Sequence, residues 1–423
     1  MKFLPDSSWN LVPKSIQNEL YSIQKTIQKV GGECYLVGGA VRDLVMNQVP
    51  KEYDFTTSLP PQKLKTLFKK VIETGIKHGT VTLLFPNGKY EVTTFRKEIG
   101  YSDGRRPDKV EYGTNLEEDL MRRDFTMNAL ALNLNNLEII DKHQGLEDIN
   151  KKLIRAIGDP IVRFNEDGLR SIRGIRFHAV LGFEIEHKTY EAIWKTREIT
   201  KKISVERFQD ELYKILQAKT PSLGLVELVK NKIFSLFLPF EESENYEILY
   251  EVDKLSMWIP LRLAILFLYL TSKELAKVEE IFRALRLPKE DTKIAKFWMS
   301  FLLEYKSKNI SRQEIIKDLS QIKMFSGKEN FSKFFEAYLE ILNLKEEPSH
   351  FLKLKDLAYK LIAENPPLTI ADLAINGNDI SCIYPNILKT KYGIILQDCL
   401  NEVLKDSNKN KKDYLLDFIK KYT

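Results

Sequence analysis

The stretch Leu36-Val-Gly-Gly-Ala-Val-Arg-Asp43, followed by Lys51-Glu-Tyr-Asp-Phe-Thr-Thr57, decides how this chain is read. Cys34 to Val37 is a short apolar run that reads as a strand, Gly38-Gly39 interrupts it, and Ala40 to Met46 reads as helix. Glu52 and Asp54 stand at i and i+2 of a second extended run, which puts both carboxylates on one face, where they can share a hard cation such as Mg2+. A glycine pair ahead of a helix lets backbone amides approach a phosphate, and Arg42 adds charge. Taken alone, an acidic pair is more often a solvated strand face and a Gly-Gly more often a turn; it is their order and short separation that carry information.

Working outward, Ile16, Leu20, Ile23, Ile27 and Val30 recur at steps of four and three, the apolar face of a helix that Gly31-Gly32 stops. Downstream, Val81 to Phe85 and Tyr90 to Phe95 flank Pro86-Asn87-Gly88-Lys89, a hairpin whose Asn-Gly pair is expected to take the positive φ of a tight turn. Lys97 to Gly113, with Gly100, Asp103-Gly104 and Pro107, reads as a long mobile loop. Beyond about residue 150 strand signals nearly vanish and helical periodicity runs to the end. No repeat of 20 to 50 residues and no low-complexity tract is present.

Composition sets the outer bounds. The 423 residues, 43% hydrophobic and 29% charged, belong to an ordinary globular chain of about two to four domains rather than a disordered or fibrous one. The net charge of +6 permits a nucleic-acid partner without demanding one. Cys34, Cys382 and Cys399 form neither a disulfide framework nor a metal-ligand spacing, which fits a reducing compartment. The N-terminus turns polar before any apolar run develops, and Ile259 to Leu270 falls short of the roughly 20 residues that cross a bilayer. We therefore expect a cytoplasmic protein with no membrane partner. There is no phosphate loop of the Gly-x-x-x-x-Gly-Lys-Ser/Thr kind.

Further motifs follow in order. Arg122-Arg-Asp-Phe-Thr-Met-Asn128 joins guanidinium forks, suited to phosphate, to a carboxylate that can accept from ribose hydroxyls, with Asn128 one helical turn beyond Asp124. Glu166-Asp-Gly-Leu-Arg170 runs into Arg173 and Arg176-Phe177, and Ile203-Ser-Val-Glu-Arg207 with Glu211 comes next. Between Lys151 and Arg176 seven basic residues face three acidic ones, a stripe that can hold triphosphate and RNA.

Together these motifs resemble those of the class II tRNA nucleotidyltransferases, the CCA-adding enzymes, and of their relatives the bacterial poly(A) polymerases. The resemblance covers about residues 30 to 215, with a weaker tail match at Leu368 to Ile380, especially Ala374-Ile-Asn-Gly377 and Asp379. It implies an α+β protein: a nucleotidyltransferase-type mixed sheet with helices in a catalytic head (1–135), then an all-helical neck that reads nucleotides (136–215), body (216–345) and RNA-binding tail (346–423). It also implies template-independent addition of CCA to tRNA 3′ ends from CTP and ATP, with release of pyrophosphate and two metal ions at the reaction centre. Glu52 and Asp54 would hold Mg2+, and Glu91 is the candidate third carboxylate, with an outward-facing strand glutamate as the alternative. Gly38, Gly39, Arg42, Arg122, Arg123, Asp124, Asn128, Asp167, Arg170, Arg173 and Arg176 would bind the nucleotide.

On one helix, Asp167 and Arg170 would project side by side as acceptor and donor. Cytosine and adenine both present an exocyclic amine beside an unprotonated ring nitrogen, so such a pair selects C and A together. The loop Lys97 to Gly113, with Tyr101, Asp103 and Arg105-Arg106-Pro107, resembles the one that enzymes adding the terminal A carry and relatives adding only C have shortened. His78 resembles a family segment before the hairpin and reads as structural. One departure stands out: the family presents Asp-x-Asp where this chain has Glu52-Tyr53-Asp54. The extra methylene leaves open a changed rate or metal preference, or a protein that has lost catalysis and binds tRNA only. An A-adding enzyme or a poly(A) polymerase also stays open, and the sequence does not address oligomeric state.

Overall fold

The structure, a computed structural model, describes residues 2–76, 79–100, 109–238, 245–305 and 311–422. His78 and the loop residues Tyr101, Asp103, Arg105, Arg106 and Pro107 lie outside the described residues. The fold is α+β, with two compact units, one formed by residues 1–253 and 266–292 and the other by 254–265 and 293–423.

The first unit is built on a seven-stranded mixed sheet. Its strands are β1 (Cys34–Val37), β2 (Asp54–Thr57), β3 (Val71–Gly75), β4 (Thr80–Leu84), β5 (Lys89–Thr94), β8 (Leu130–Asn133) and β9 (Glu138–Asp141), in the order β3-β4-β5-β2-β1-β8-β9. All neighbours are antiparallel except β2 and β5, which run parallel with Asp54 opposite Glu91. This register follows from the alternation in Lys89–Thr94, where Tyr90, Val92 and Thr94 are buried while Lys89 and Glu91 are exposed. Helix α1 (Lys14–Gln28) buries Leu20, Ile23 and Ile27 as its spacing predicts, and Val30 falls beyond its end, exposed.

Two sequence expectations change in this unit. The segment expected as a loop contains a separate hairpin, β6 (Arg96–Ile99) paired with β7 (Lys109–Tyr112). The turn after β4 is a four-residue connection closed by Phe85 N donating to Gly88 O at 2.9 Å, and neither Asn87 nor Gly88 has positive φ. Its shape is set from outside: the buried Glu19 carboxylate accepts from Asn87 N (3.0 Å), Asn87 Nδ2 (2.7 Å) and Tyr90 Oη (2.6 Å). Gly88 is needed because a Cβ there would meet the Tyr90 ring at 2.8 Å.

After β9 the described residues are helical apart from a two-residue ladder of Leu153–Ile154 with Glu184–Ile185, so the neck expected to be all-helical over 136–215 instead opens with a strand of the head sheet and holds this ladder. Helices α2 (Gly39–Val45), α3 (Leu116–Met121), α4 (Pro160–Glu166), α5 (Leu169–Leu181) and α6 (Val205–Leu216) carry the site described below. The second unit is helical throughout its described residues. Its long helix Arg312–Lys345 is broken at Gly327, whose φ of 69° and ψ of 179° leave helical space. Near its end, Asn376 and Asp379 form a reciprocal capping box that opens the helix Gly377–Ile383, and Ile380, Ile395, Cys399, Val403, Leu415 and Ile419 pack as one core. All three cysteines are free thiols.

Candidate active site

The site is assembled at the ends of β1, β2 and β5. Gly38 ends β1 with φ 73° and ψ −134°, a conformation glycine tolerates, and a Cβ added there would meet Arg123 Nη1 at 3.1 Å. The chain can therefore turn into α2 under a packed guanidinium. Asp54 opens β2, whereas Glu52 lies in the segment just before it, a correction to the expectation that both sit on one strand. The two still line one cavity of about 500 Å3, together with Gly39, Arg42, Arg176 and Lys214.

Three negative charges act on one another here. Partial removal of the Asp54 carboxyl from water, then Glu91, then Glu52, push its pKa up to about 6, while Arg123 pulls it down. A carboxylate held in surplus negative charge through oxygen ligands alone suits a hard divalent cation, which would relieve the repulsion. Among the described residues no three His, Cys, Asp or Glu side chains converge as a ready metal site. The donor set therefore fits a cation held by one or two carboxylates and completed by substrate phosphate and water, a coordination Mg2+ commonly adopts.

Beside the carboxylates runs a connected polar network. Arg42 donates to Asp43 Oδ1 through Nε (3.0 Å) and Nη2 (2.6 Å) and to Asn128 Oδ1 through Nη1 (2.8 Å). Asn128 Nδ2 reaches Asp124 Oδ1 at 3.3 Å, and Arg173 Nε donates to Asp124 Oδ2 at 2.7 Å. Burial alone would raise Asp124, but Arg173, Arg170 and Asn128 together hold it well below the usual carboxylate range. Asn128 gets there through a single 3-10 turn, Thr126–Asn128, rather than an α-helical one.

Arg176 is a cation held at a cost. Burial and the neighbouring Arg173 bring its pKa down to about 10, against the opposing pull of Glu211, which accepts from Nε at 2.9 Å. The Arg42, Arg173 and Arg176 guanidiniums lie 5.3, 5.5 and 3.6 Å from the centroid of the buried Phe177 ring. Of these three cations, Arg42 and Arg176 line the cavity that holds Glu52 and Asp54, and Arg173 is turned to Asp124.

A family model described as the poly A polymerase head domain matches residues 34–155, and one described as the probable RNA and SrmB-binding site of polymerase A matches 182–243. The CCA-adding enzyme of Enterococcus faecalis (strain ATCC 700802 / V583) is 34% identical over 418 residues, 96% of this chain and 97% of that one. This chain belongs to the CCA-adding enzyme family. The CCA-adding enzyme of Lactobacillus helveticus (strain DPC 4571) is 50% identical over 193 residues, a match that spans 46% of this chain and about half, 48%, of that relative. The crystal structure of the Bacillus stearothermophilus CCA-adding enzyme in complex with CTP superposes with a TM-score of 0.78 at 27% identity, covering 97% of this chain and 99% of that one.

This member of the CCA-adding family arranges its second arginine motif around a residue the sequence reading passed over. Asp119, fully buried, accepts from Arg122 Nε (3.0 Å) and Nη2 (2.8 Å), from Arg123 Nη2 (3.5 Å) and from Thr56 Oγ1 (3.0 Å). The signal was available: Asp119 precedes Arg122 and Arg123 by three and four residues in a helical stretch. Burial would raise the Asp119 carboxyl, and the two guanidiniums reverse that and lower it. Lys214, at the cavity wall and 2.8 Å from Glu211 Oε1, was also missed; it sits three residues past a glutamate on α6.

Asp167 and Arg170 are not side by side on one helix. The helix breaks between them because Asp167 is extended (φ −145°, ψ 111°) and Gly168 packs so closely that a Cβ would meet Ile199 O at 2.6 Å. Asp167 is gripped by Arg207, Nη1 to Oδ1 at 3.1 Å and Nη2 to Oδ2 at 2.7 Å, while its Oδ1 also accepts from Leu169 N at 3.0 Å. The buried Arg170 pairs with Glu166 and donates to Arg163 O (2.9 Å) and Arg122 O (3.1 Å). The basic stripe is likewise more neutral than its count: Lys151, Arg155, Arg163, Arg170, Arg173 and Arg176 each have an acidic partner, four of those partners from outside the stripe. Among the described residues, no helix is long and apolar enough to cross a membrane.

Proposed function

We propose that this protein is a template-independent nucleotidyltransferase that adds C, C and A to tRNA 3′ ends from CTP and ATP, releasing pyrophosphate, and that it works in the cytoplasm. The observation that carries the reading is the single cavity in which Glu52 and Asp54 face Arg42 and Arg176, within a chain that aligns over nearly its whole length with the E. faecalis enzyme.

Asp54, with Glu52 beside it and Glu91 opposite, would hold Mg2+. Bound there, the cation would supply Lewis-acid neutralisation of the phosphates and of the attacking 3′-oxygen. The chain's own groups do the rest. Arg42 and Arg176 draw in the triphosphate, and Asp124, fixed by Arg173 and Asn128, orients the ribose through its remaining acceptor capacity. Arg122 and Arg123, held by Asp119, stand ready for phosphate oxygens. Asp167 and Arg170 read the base edge, with Arg207 fixing the direction of the Asp167 carboxylate. In this scheme the catalytic head runs past the expected boundary at 135 to take in β9 (Glu138–Asp141), the last strand of its sheet, and is followed by the reading neck to 215, the body (216–345) and the RNA-binding tail (346–423).

The test is incorporation by the purified protein into tRNA transcripts ending before CCA, after C and after CC, each NTP supplied singly and then together, with 3′ ends sequenced. Growth to CCA followed by arrest is the expected result. Addition of A to the CC end only would make it an A-adder, long A tails on unrelated RNA a polymerase, and no incorporation with retained tRNA binding a protein impaired by Glu52.

A further inference from the structure

Away from the nucleotide cavity, the outer end of the sheet holds a groove of about 960 Å3 between the chain entering β3 and the β4–β5 turn. Phe68 and Phe85, both half-buried and in edge contact at 6.4 Å between centroids, form its apolar floor. Lys69, Lys70 and Lys89 rise from its rim, all exposed, and none has an ion pair or side-chain hydrogen bond among the described residues. Among the described residues, no acidic side chain lines the groove. Unpaired lysines are notable in a unit where most cations of the neck have found a carboxylate.

We propose that this groove is a second RNA site, taking a single-stranded stretch distinct from the 3′ end that meets Asp54. Half-buried aromatic surface flanked by uncompensated cations is what successive bases and phosphates require: rings accept any base face, and lysines follow the backbone without reading sequence. The site is linked to the reaction centre through β5. Lys89 and Glu91 are two residues apart, share one face of the strand and lie about 7 Å apart along it. The buried Glu19 brace on Asn87 and Tyr90 makes the turn wall rigid, so the groove is preformed. An acidic protein segment would satisfy the lysines but leave the phenylalanines without the flat partners they suit.

The measurement is fluorescence anisotropy of a fluorescein-labelled ten-nucleotide mixed A/C RNA binding the full chain across a salt series, which does not depend on CCA addition. The triple substitution Lys69→Glu, Lys70→Glu and Lys89→Glu is expected to weaken binding at least tenfold and to flatten the slope of log affinity against log salt by about 2, as loss of three phosphate contacts to a single strand requires. Phe85→Leu, which keeps the core apolar, is expected to weaken binding at least about fivefold with the slope unchanged. Unaltered affinity and slope in the triple variant overturn the proposal, and so does displacement of the RNA by polyglutamate at equal charge concentration, which would assign the groove to an acidic protein. The KM for CTP should stay within twofold in both variants, and a larger change would place the groove inside the nucleotide site and overturn its separateness.

Discussion

Asp54 and Glu91 occupy facing positions on the parallel strands β2 and β5, and Glu91 makes the ionised state of Asp54 more costly. Like charges placed in register are destabilising for a sheet. Their persistence is understandable if the strain is relieved when a cation and a triphosphate arrive together. The surrounding structure is arranged to hold the pair in place: Glu19 fixes the turn that leads into β5, and Thr56 hydrogen-bonds the buried Asp119 one layer below.

Asp54→Ala should abolish incorporation, by at least about a thousandfold, because in the proposed scheme it removes a ligand of the catalytic cation. Binding of tRNA should stay within about threefold, since the cationic surfaces remain. Single-turnover incorporation and a filter-binding titration measure the two quantities. A parallel collapse of tRNA affinity would contradict the assignment.

The raised Asp54 pKa gives a stability signature in metal-free buffer. The unfolded chain's Asp titrates near about 3.9, whereas the folded carboxyl titrates at about 6. Between those values the folded state binds more protons than the unfolded one, so this group's contribution to stability falls as pH rises through the window. Asp54→Asn removes the penalty. The variant should therefore melt about 2 °C or more above the parent at pH 7.5, with the difference gone near pH 4. Added Mg2+ should stabilise the parent more than the variant, which reverses the order.

Much of this architecture could be read from the residues. The glycine turn, α1 and the β4–β5 hairpin follow from spacing that acts within a few residues. What escaped were features settled by distant partners. Asn87-Gly88 looked like a positive-φ turn, and Glu19, 68 residues away, holds it otherwise. Asp167 and Arg170 looked like a helical pair, yet contact with Ile199 and capture by Arg207 separate them. The basic stripe looked free because its acidic partners Asp124, Glu147, Asp148 and Glu211 lie outside the counted window.

Asp167→Ala should relax nucleotide choice, letting UTP or GTP enter at a rate closer to CTP, because the acceptor proposed to meet the exocyclic amine is gone. Arg207→Gln should have a smaller effect of the same kind. It leaves the carboxylate in place but loses the two bonds that aim it, so the KM for CTP and ATP should rise several-fold with kcat less affected. Competition assays with mixed NTPs read both. Unchanged selectivity in Asp167→Ala would remove that residue from base reading.

Asp119→Ala tests whether the second arginine motif depends on its hidden partner. The substitution leaves Arg122 and Arg123 without their shared carboxylate in a region where Asp119 has no solvent exposure. Breaking a buried pair from one side costs about 3 to 5 kcal/mol, because the orphaned charge keeps its desolvation penalty. Thr56, in the middle of β2, loses one of its two acceptors and keeps Thr93 O at 3.2 Å. The cost should appear as lost amide-exchange protection in β2 and β5, with the helices of residues 311–422 unaffected. Asp119→Asn keeps an acceptor for Thr56 but not the charge, so it should recover protection at Thr56 only in part while incorporation stays low. If Asp119→Asn matched the parent in both protection and incorporation, the hydrogen bonds rather than the buried charge would be what positions the two arginines.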